Sequence, residues 1–208
     1  MIAVSYLKSK YSKEETIKKI DESIADFIHV DLMDGIYVEN NNFTIDEVIN
    51  DLKNTTKPLD IHLMVDNPIK YIDDLAKLKP NTITFHLDST NDPKEIIDLI
   101  KDYNIKVGIA INPNEDISIL NNYYDLIDYV LIMSVYPGKG GQEFIKEVLE
   151  KVKLLENKNL LIGIDGGINS ETIKYLNDYN IDIIISGSYV CMSDDYSKQI
   201  SWLKQSIE

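Results

Sequence analysis

Arginine is absent from the 208-residue sequence: all 21 basic residues are lysine. The bidentate guanidinium fork is therefore unavailable, and any phosphate held by this chain must rely on backbone N–H groups, a lysine or a metal. Acidic residues number 35, for a formal net charge of −14. That balance disfavours a nucleic acid or an anionic membrane as partner, because phosphate recognition needs a positive patch. The single cysteine, Cys191, excludes an intramolecular disulfide and reads as a small buried apolar side chain. No stretch approaches the ~18 consecutive apolar residues of a membrane span. Met1 to Leu7 has no basic segment leading into a long apolar one. The expectation is a soluble, cytoplasmic protein.

What is present is a regular alternation. The chain is 44% hydrophobic, enough for one sizeable core. Apolar runs of strand length, rich in Ile and Val, occupy residues 2–7, 27–33, 59–65, 82–87, 106–111, 129–135, 160–165 and 183–186. Amphipathic segments lie between them. Residues 143–156 carry Phe144, Val148, Val152 and Leu155 at helical spacing, and residues 68–78 follow Asn67 as an N-cap. About eight βα units imply right-handed crossovers and a parallel sheet closed into a (β/α)8 TIM barrel, as one catalytic domain over residues 1–208. An open doubly wound sheet is the alternative, but Val4-Ser5-Tyr6-Leu7-Lys8-Ser9-Lys10 has no glycine for a dinucleotide fingerprint.

Barrel active sites lie at the carboxyl ends of the strands. On the second strand His29, Asp31 and Met33 alternate and so share a face; on the third, Asp60, His62 and Met64 do the same. Asp165 ends the seventh. If these faces point inward, His29, Asp31, His62 and Asp165 converge on a cage for one divalent ion of the Zn, Mn, Fe or Co type, whose charge would offset two carboxylates. His86, on the fourth strand, reads as a supporting residue. Met33, Met64 and Met133 read as a soft, water-excluding wall. The loop Asn40-Asn41-Asn42 reads as a polar connection only.

Glycines cluster late. Gly138, Gly140 and Gly141 follow the sixth strand with Lys139 among them, Gly166 and Gly167 the seventh, and Gly187 with Ser188 the eighth. Glycine lets backbone N–H groups approach an anion, and a following helix adds its dipole. Three such loops among only 9 glycines suggest a phosphate site, with Lys139 the one basic side chain of the glycine loop.

The segments His29-Val30-Asp31-Leu32-Met33-Asp34-Gly35, Asp60-Ile61-His62-Leu63-Met64, Pro137-Gly138-Lys139-Gly140-Gly141-Gln142 and Asp165-Gly166-Gly167 resemble, in order, the signatures of ribulose-phosphate 3-epimerases. Ser5, Leu7, Gly187 and Ser188 match the same pattern. The resemblance implies a ribulose-phosphate-binding barrel that interconverts D-ribulose 5-phosphate and D-xylulose 5-phosphate. It implies His29, Asp31, His62 and Asp165 as metal ligands, with Asp31 and Asp165 also the acid/base pair. Ser5 and His62 would touch the substrate, and Gly138, Lys139, Gly140, Gly141, Gly166, Gly167, Gly187 and Ser188 would line its site. Val4 stands where the family usually has proline, Lys139 where it has an aromatic, and residues 39–44 depart from its loop pattern. Alternatives are an epimerase of another ketose phosphate such as D-allulose 6-phosphate, or a non-catalytic sugar-phosphate-binding barrel. A decarboxylase of the orotidine-phosphate kind would need a lysine on the third strand, which offers none before Lys70. The reading leaves a homo-oligomer open.

Overall fold

The computed structural model describes residues 1–207. Eight parallel strands close into a barrel in sequence order: β1 (Ile2–Ser5), β2 (Phe27–Met33), β3 (Leu59–Met64), β4 (Thr82–His86), β5 (Lys106–Ile111), β6 (Tyr129–Met133), β7 (Leu161–Asp165) and β8 (Ile183–Ile185). Closure is made by β1 against β8, with Ile2 opposite Ile184 and Ala3 opposite Ile185. This pairing removes the open-sheet alternative.

The strands are apolar on both faces because both are covered. Outward residues such as Ile28, Val30, Ile61, Leu63, Ile83 and Phe85 pack under the helices. Inward residues Ala3, Phe27, Ala110, Tyr129, Leu131, Met133, Ile183 and Ile185 fill the barrel. Tyr129 is the large element of that filling. It fits because its neighbours carry no side chain: a Cβ at Gly163 would lie 1.8 Å from the Tyr129 hydroxyl, and one at Gly108 would lie 2.8 Å from its ring.

The helices are α1 (Lys13–Asp21), α2 (Ile45–Leu52), α3 (Ile69–Leu75), α4 (Pro93–Asp102), α5 (Leu149–Leu155), α6 (Ser188–Cys191) and α7 (Tyr196–Gln205). Local chemistry starts several of them. Ser12 caps α1 by accepting from Glu15 N–H, and Asp92 caps α4 ahead of Pro93. Thr44 and Glu47 form a reciprocal capping box on α2. No helix among the described residues is long and apolar enough to cross a membrane, and Cys191 is buried.

Three sequence expectations change. Residues 143–156 are not one helix: a 3₁₀ turn at Lys146–Val148 precedes α5. The start is displaced because Ile145 N–H donates to Ser134 O at 2.8 Å, holding the preceding residues against the end of β6. Asn67 is not an N-cap. It takes a left-handed conformation (φ 53°), and its N–H donates to Ser89 O, so α3 begins after Pro68. The crossovers β5–β6 and β7–β8 are carried by 3₁₀ turns, Ile117–Leu120 and Thr172–Leu176, rather than by α-helices.

Candidate active site

The register of β2 against β3 sets His29 opposite Asp60 and Asp31 opposite His62. All four side chains point into the barrel and are buried. Asp165, at the end of β7, completes the group. One ligand atom each from His29, Asp31, His62 and Asp165 falls within 4.8 Å of the others. The structure therefore brings together the three residues that the strand alternation singled out and Asp165, picked out at the end of the seventh strand.

Their contacts are specific. His29 Nδ1 is 2.8 Å from Asp60 Oδ2, which leaves Nε2 as the inward-facing atom. That nitrogen lies 3.3 Å from Asp31 Oδ1 and 4.0 Å from Asp165 Oδ2. It is buried and makes no hydrogen bond of good geometry with the described residues. His62 Nδ1 is 3.3 Å from Asp31 Oδ1, and its Nε2 is 2.9 Å from His86 Nε2. Ser5 Oγ donates to Asp31 Oδ2 at 2.6 Å. Burial disfavours charge on Asp31, but His29 and His62 outweigh it and hold the carboxyl far below its ordinary range. Burial, and then the negative charge of Asp31, push Asp165 up to about 6. Burial opposes a charge on His29, yet Asp31 and Asp60 raise it well above an ordinary imidazole.

These observations fit a divalent cation. Two imidazoles and two carboxylates are a suitable donor set. The unpartnered His29 Nε2 is aimed between the carboxylates, and the mutual repulsion felt by Asp165 is what a cation would relieve. Asp60, which the sequence placed on the right face without a role, orients His29 as an outer carboxylate orients a metal-binding histidine. His86 supports His62 as read. Burial and the neighbouring His62 hold His86 well below an ordinary imidazole, so it is neutral and free to accept from His62.

If His62 is one of the residues that hold the ion, His62→Ala protein is expected to purify nearly metal-free by elemental analysis. Asp60→Asn is expected to weaken metal affinity about 10- to 100-fold, measured by competition with a chelator. An unchanged affinity would reduce Asp60 to a packing role.

Above this group opens a cavity lined by Ser5, Met33, Met64, Met133, Asp31 and Asp165. Gly138, Lys139, Gly140, Gly141, Gly166, Gly167, Gly187 and Ser188 line it as well. His62 does not; it is fully buried beneath, so the substrate contact expected of it has no exposed surface here.

Several positioning residues escaped the sequence reading. Asn42 is more than part of a polar loop: its Nδ2 donates to Asp31 O at 2.6 Å while its Oδ1 accepts from Met33 N–H at 3.0 Å, clamping the end of β2. Asn40 Nδ2 donates to Gly138 O, and Lys139 Nζ lies 3.8 Å from Glu39, so loops after β2 and β6 meet over the mouth. Ser134 Oγ donates to Asp165 O at 2.8 Å and Gly166 O at 2.7 Å, fixing the end of β7. No pattern marked these residues, because each acts through a contact with a residue outside its own strand period: Asn42 folds back on β2, and Ser134, just after β6, reaches the end of β7.

The glycine loops also differ from expectation. Regular helices do not follow two of them: 3₁₀ turns follow the loops after β6 and β7, and the four-residue α6 follows β8. The helix dipole expected to favour an anion is correspondingly small.

Comparison with known proteins agrees with this geometry. The chain is similar to ribulose-phosphate 3-epimerase of Bacillus subtilis, 36% identical over 199 residues and 91% of each chain. It is similar also to ribulose-phosphate 3-epimerase of Helicobacter pylori, 39% identical over 192 residues, 88% of this chain and 87% of that one. Solved barrels with the same fold include KGPDC from Streptococcus mutans, with TM-score 0.76, 14% identity and 99% and 96% coverage. Another is 3-hexulose-6-phosphate synthase from Salmonella typhimurium, with TM-score 0.74, 17% identity and 99% and 97% coverage. A sequence profile matches residues 1–191, and with it the cage, the cavity and both relatives agree: the chain belongs to the ribulose-phosphate 3 epimerase family.

Proposed function

We propose that residues 1–208 form one catalytic domain, a metal-dependent epimerase that interconverts D-ribulose 5-phosphate and D-xylulose 5-phosphate. The observation that carries this reading is the pair Asp31 and Asp165, two carboxylates from strands on different sides of the barrel facing one cavity. His29, Asp31, His62 and Asp165 would hold one divalent ion of the Zn, Mn, Fe or Co type. When bound, that ion supplies Lewis-acid stabilisation for negative charge developing on a substrate carbonyl oxygen.

The chain's own residues handle the proton. A hydrogen on the carbon beside a ketone is a weak acid, and its removal leaves an enediolate. One aspartate takes the C3 proton from one face, and the other returns a proton to the opposite face, inverting the carbon. Without the ion the two environments already differ: the histidines hold Asp31 far down, whereas burial and the Asp31 charge push Asp165 up. Ser5 Oγ, 2.6 Å from Asp31 Oδ2, would orient that carboxylate. Met33, Met64 and Met133 would wall the reacting carbon from water. No redox cofactor is required, because no electron is gained or lost.

The test is turnover of metal-loaded protein in heavy water with ribulose 5-phosphate, allulose 6-phosphate and other ketose phosphates. Ribulose 5-phosphate is expected as the preferred substrate, with deuterium at C3 or, where the proton is retained internally, a primary isotope effect from C3-deuterated substrate. No turnover of any ketose phosphate would leave only a binding barrel, and a strong preference for the hexulose would reassign the substrate.

A further inference from the structure

With arginine absent and the helix dipoles of the glycine loops small, the phosphate end of the cavity needs another source of positive charge. Backbone N–H groups orient an anion but carry only partial charge, and the chain's net charge of −14 opposes its approach. Two lysines line the cavity, Lys8 and Lys139. Both are exposed at its mouth, but Lys139 Nζ lies 3.8 Å from the Glu39 carboxylate. Lys8 stands in the loop after β1, and its side chain runs along the glycine loop after β6. A Cβ at Gly140 would lie 3.7 Å from Lys8 Cβ, and one at Gly141 would lie 3.2 Å from Lys8 Nζ. These distances place the Lys8 side chain in van der Waals contact with the glycine loop, with its ammonium beside Gly141. Among the described residues, no carboxylate comes within ion-pair distance of Lys8 Nζ, whereas the other lysine of this cavity has one.

We propose that Lys8 is the cationic side chain that binds the substrate phosphate, acting with the backbone N–H groups around Gly140, Gly141, Gly167 and Gly187. This gives the cavity two poles. Asp31 and Asp165 lie at the strand ends, and Lys8 lies beside the glycine loops. A sugar phosphate bound between them has its reacting carbon at the first and its dianion at the second. The proposal rests on the substrate being a sugar phosphate. An ammonium beside a phosphate dianion forms charge-assisted hydrogen bonds that contribute to ground state and transition state alike, so its loss appears in KM.

The experiment compares metal-loaded wild type with Lys8→Met, Lys8→Arg and Lys101→Met. The last removes the same charge from the exposed surface of α4, away from the cavity. Lys8→Met is expected to raise KM for ribulose 5-phosphate about tenfold with kcat within about twofold. It is expected to weaken competitive inhibition by inorganic phosphate in the same proportion. Lys8→Arg is expected to restore both, and Lys101→Met to change neither. An unchanged KM and phosphate inhibition constant in Lys8→Met would overturn the proposal, as would an equal loss in Lys101→Met. If wild type turned over no ketose phosphate, the epimerase reading would fail on its own. Calorimetric binding of inorganic phosphate to wild type and Lys8→Met would then decide the role of Lys8, with equal affinities overturning it.

Discussion

Asp31→Asn and Asp165→Asn are each expected to lower kcat for ribulose 5-phosphate by about a thousandfold or more, since each removes a group that must accept and release a proton. Asparagine keeps the shape and one oxygen but neither the charge nor the basicity. Both residues belong to the cluster whose ligand atoms lie within 4.8 Å, so loss of metal would mimic loss of proton transfer. Metal content must therefore be measured on each variant, and the comparison made at equal occupancy. The discriminating readout is exchange. A variant retaining one working face is expected to wash the C3 hydrogen of a single epimer into solvent without inverting it, and the two variants are expected to select opposite epimers. If both variants, fully metal-loaded, epimerise at rates near wild type, the acid/base assignment is wrong. If both lose exchange with both epimers while keeping metal, each aspartate is needed for proton removal on both faces, and the two-faced scheme fails.

Gly163→Ala is expected to destabilise the barrel by about 3 kcal/mol, the upper part of the usual range for overpacking a core. The added Cβ would lie 1.8 Å from the Tyr129 hydroxyl and 2.6 Å from the ring carbon that bears it. Tyr129 has little room to swing aside, because it is buried and its ring lies close to the Gly108 backbone on its other flank. Denaturant melts of Gly163→Ala, Tyr129→Leu and the double variant check this. The double variant is expected to lose clearly less than the sum of the two singles, because shortening Tyr129 removes the clash. Strict additivity would mean that the strain lies elsewhere. The consequence reaches the site: Gly163 lies two residues before Asp165 on β7, so a barrel that relieves the clash by moving β7 also moves a carboxylate. A parallel loss of metal affinity in Gly163→Ala is expected for that reason.

The sequence by itself determined the strand set and the inward faces. The period of two on β2 and β3 is a property of extended backbone, so His29 with Asp31 and Asp60 with His62 had to share faces wherever those strands lay. Burial on both sides of a parallel sheet wrote itself into the Ile and Val runs, and eight such runs alternating with amphipathic segments left a closed barrel as the simplest arrangement. The motifs around those residues carried the family resemblance, since they are contiguous in the chain.

Only the tertiary structure decided what depends on contacts between distant segments. That β1 pairs with β8 is a closure between the two ends of the chain. That Asp60 orients His29 follows from the register of two strands, which alternation does not set. Asn42, in the loop after β2, and Ser134, just after β6, fix the ends of β2 and β7 by contacts that leave no periodic trace. The broken segment before α5 was hidden because its apolar spacing is helical, while a single bond from Ile145 to Ser134 overrides that propensity locally. Lys8 was the least legible of all. In the sequence it is one of 21 lysines, 133 residues from Gly141 by their numbering, and it meets that glycine only because barrel closure brings the loops after β1 and β6 to one cavity.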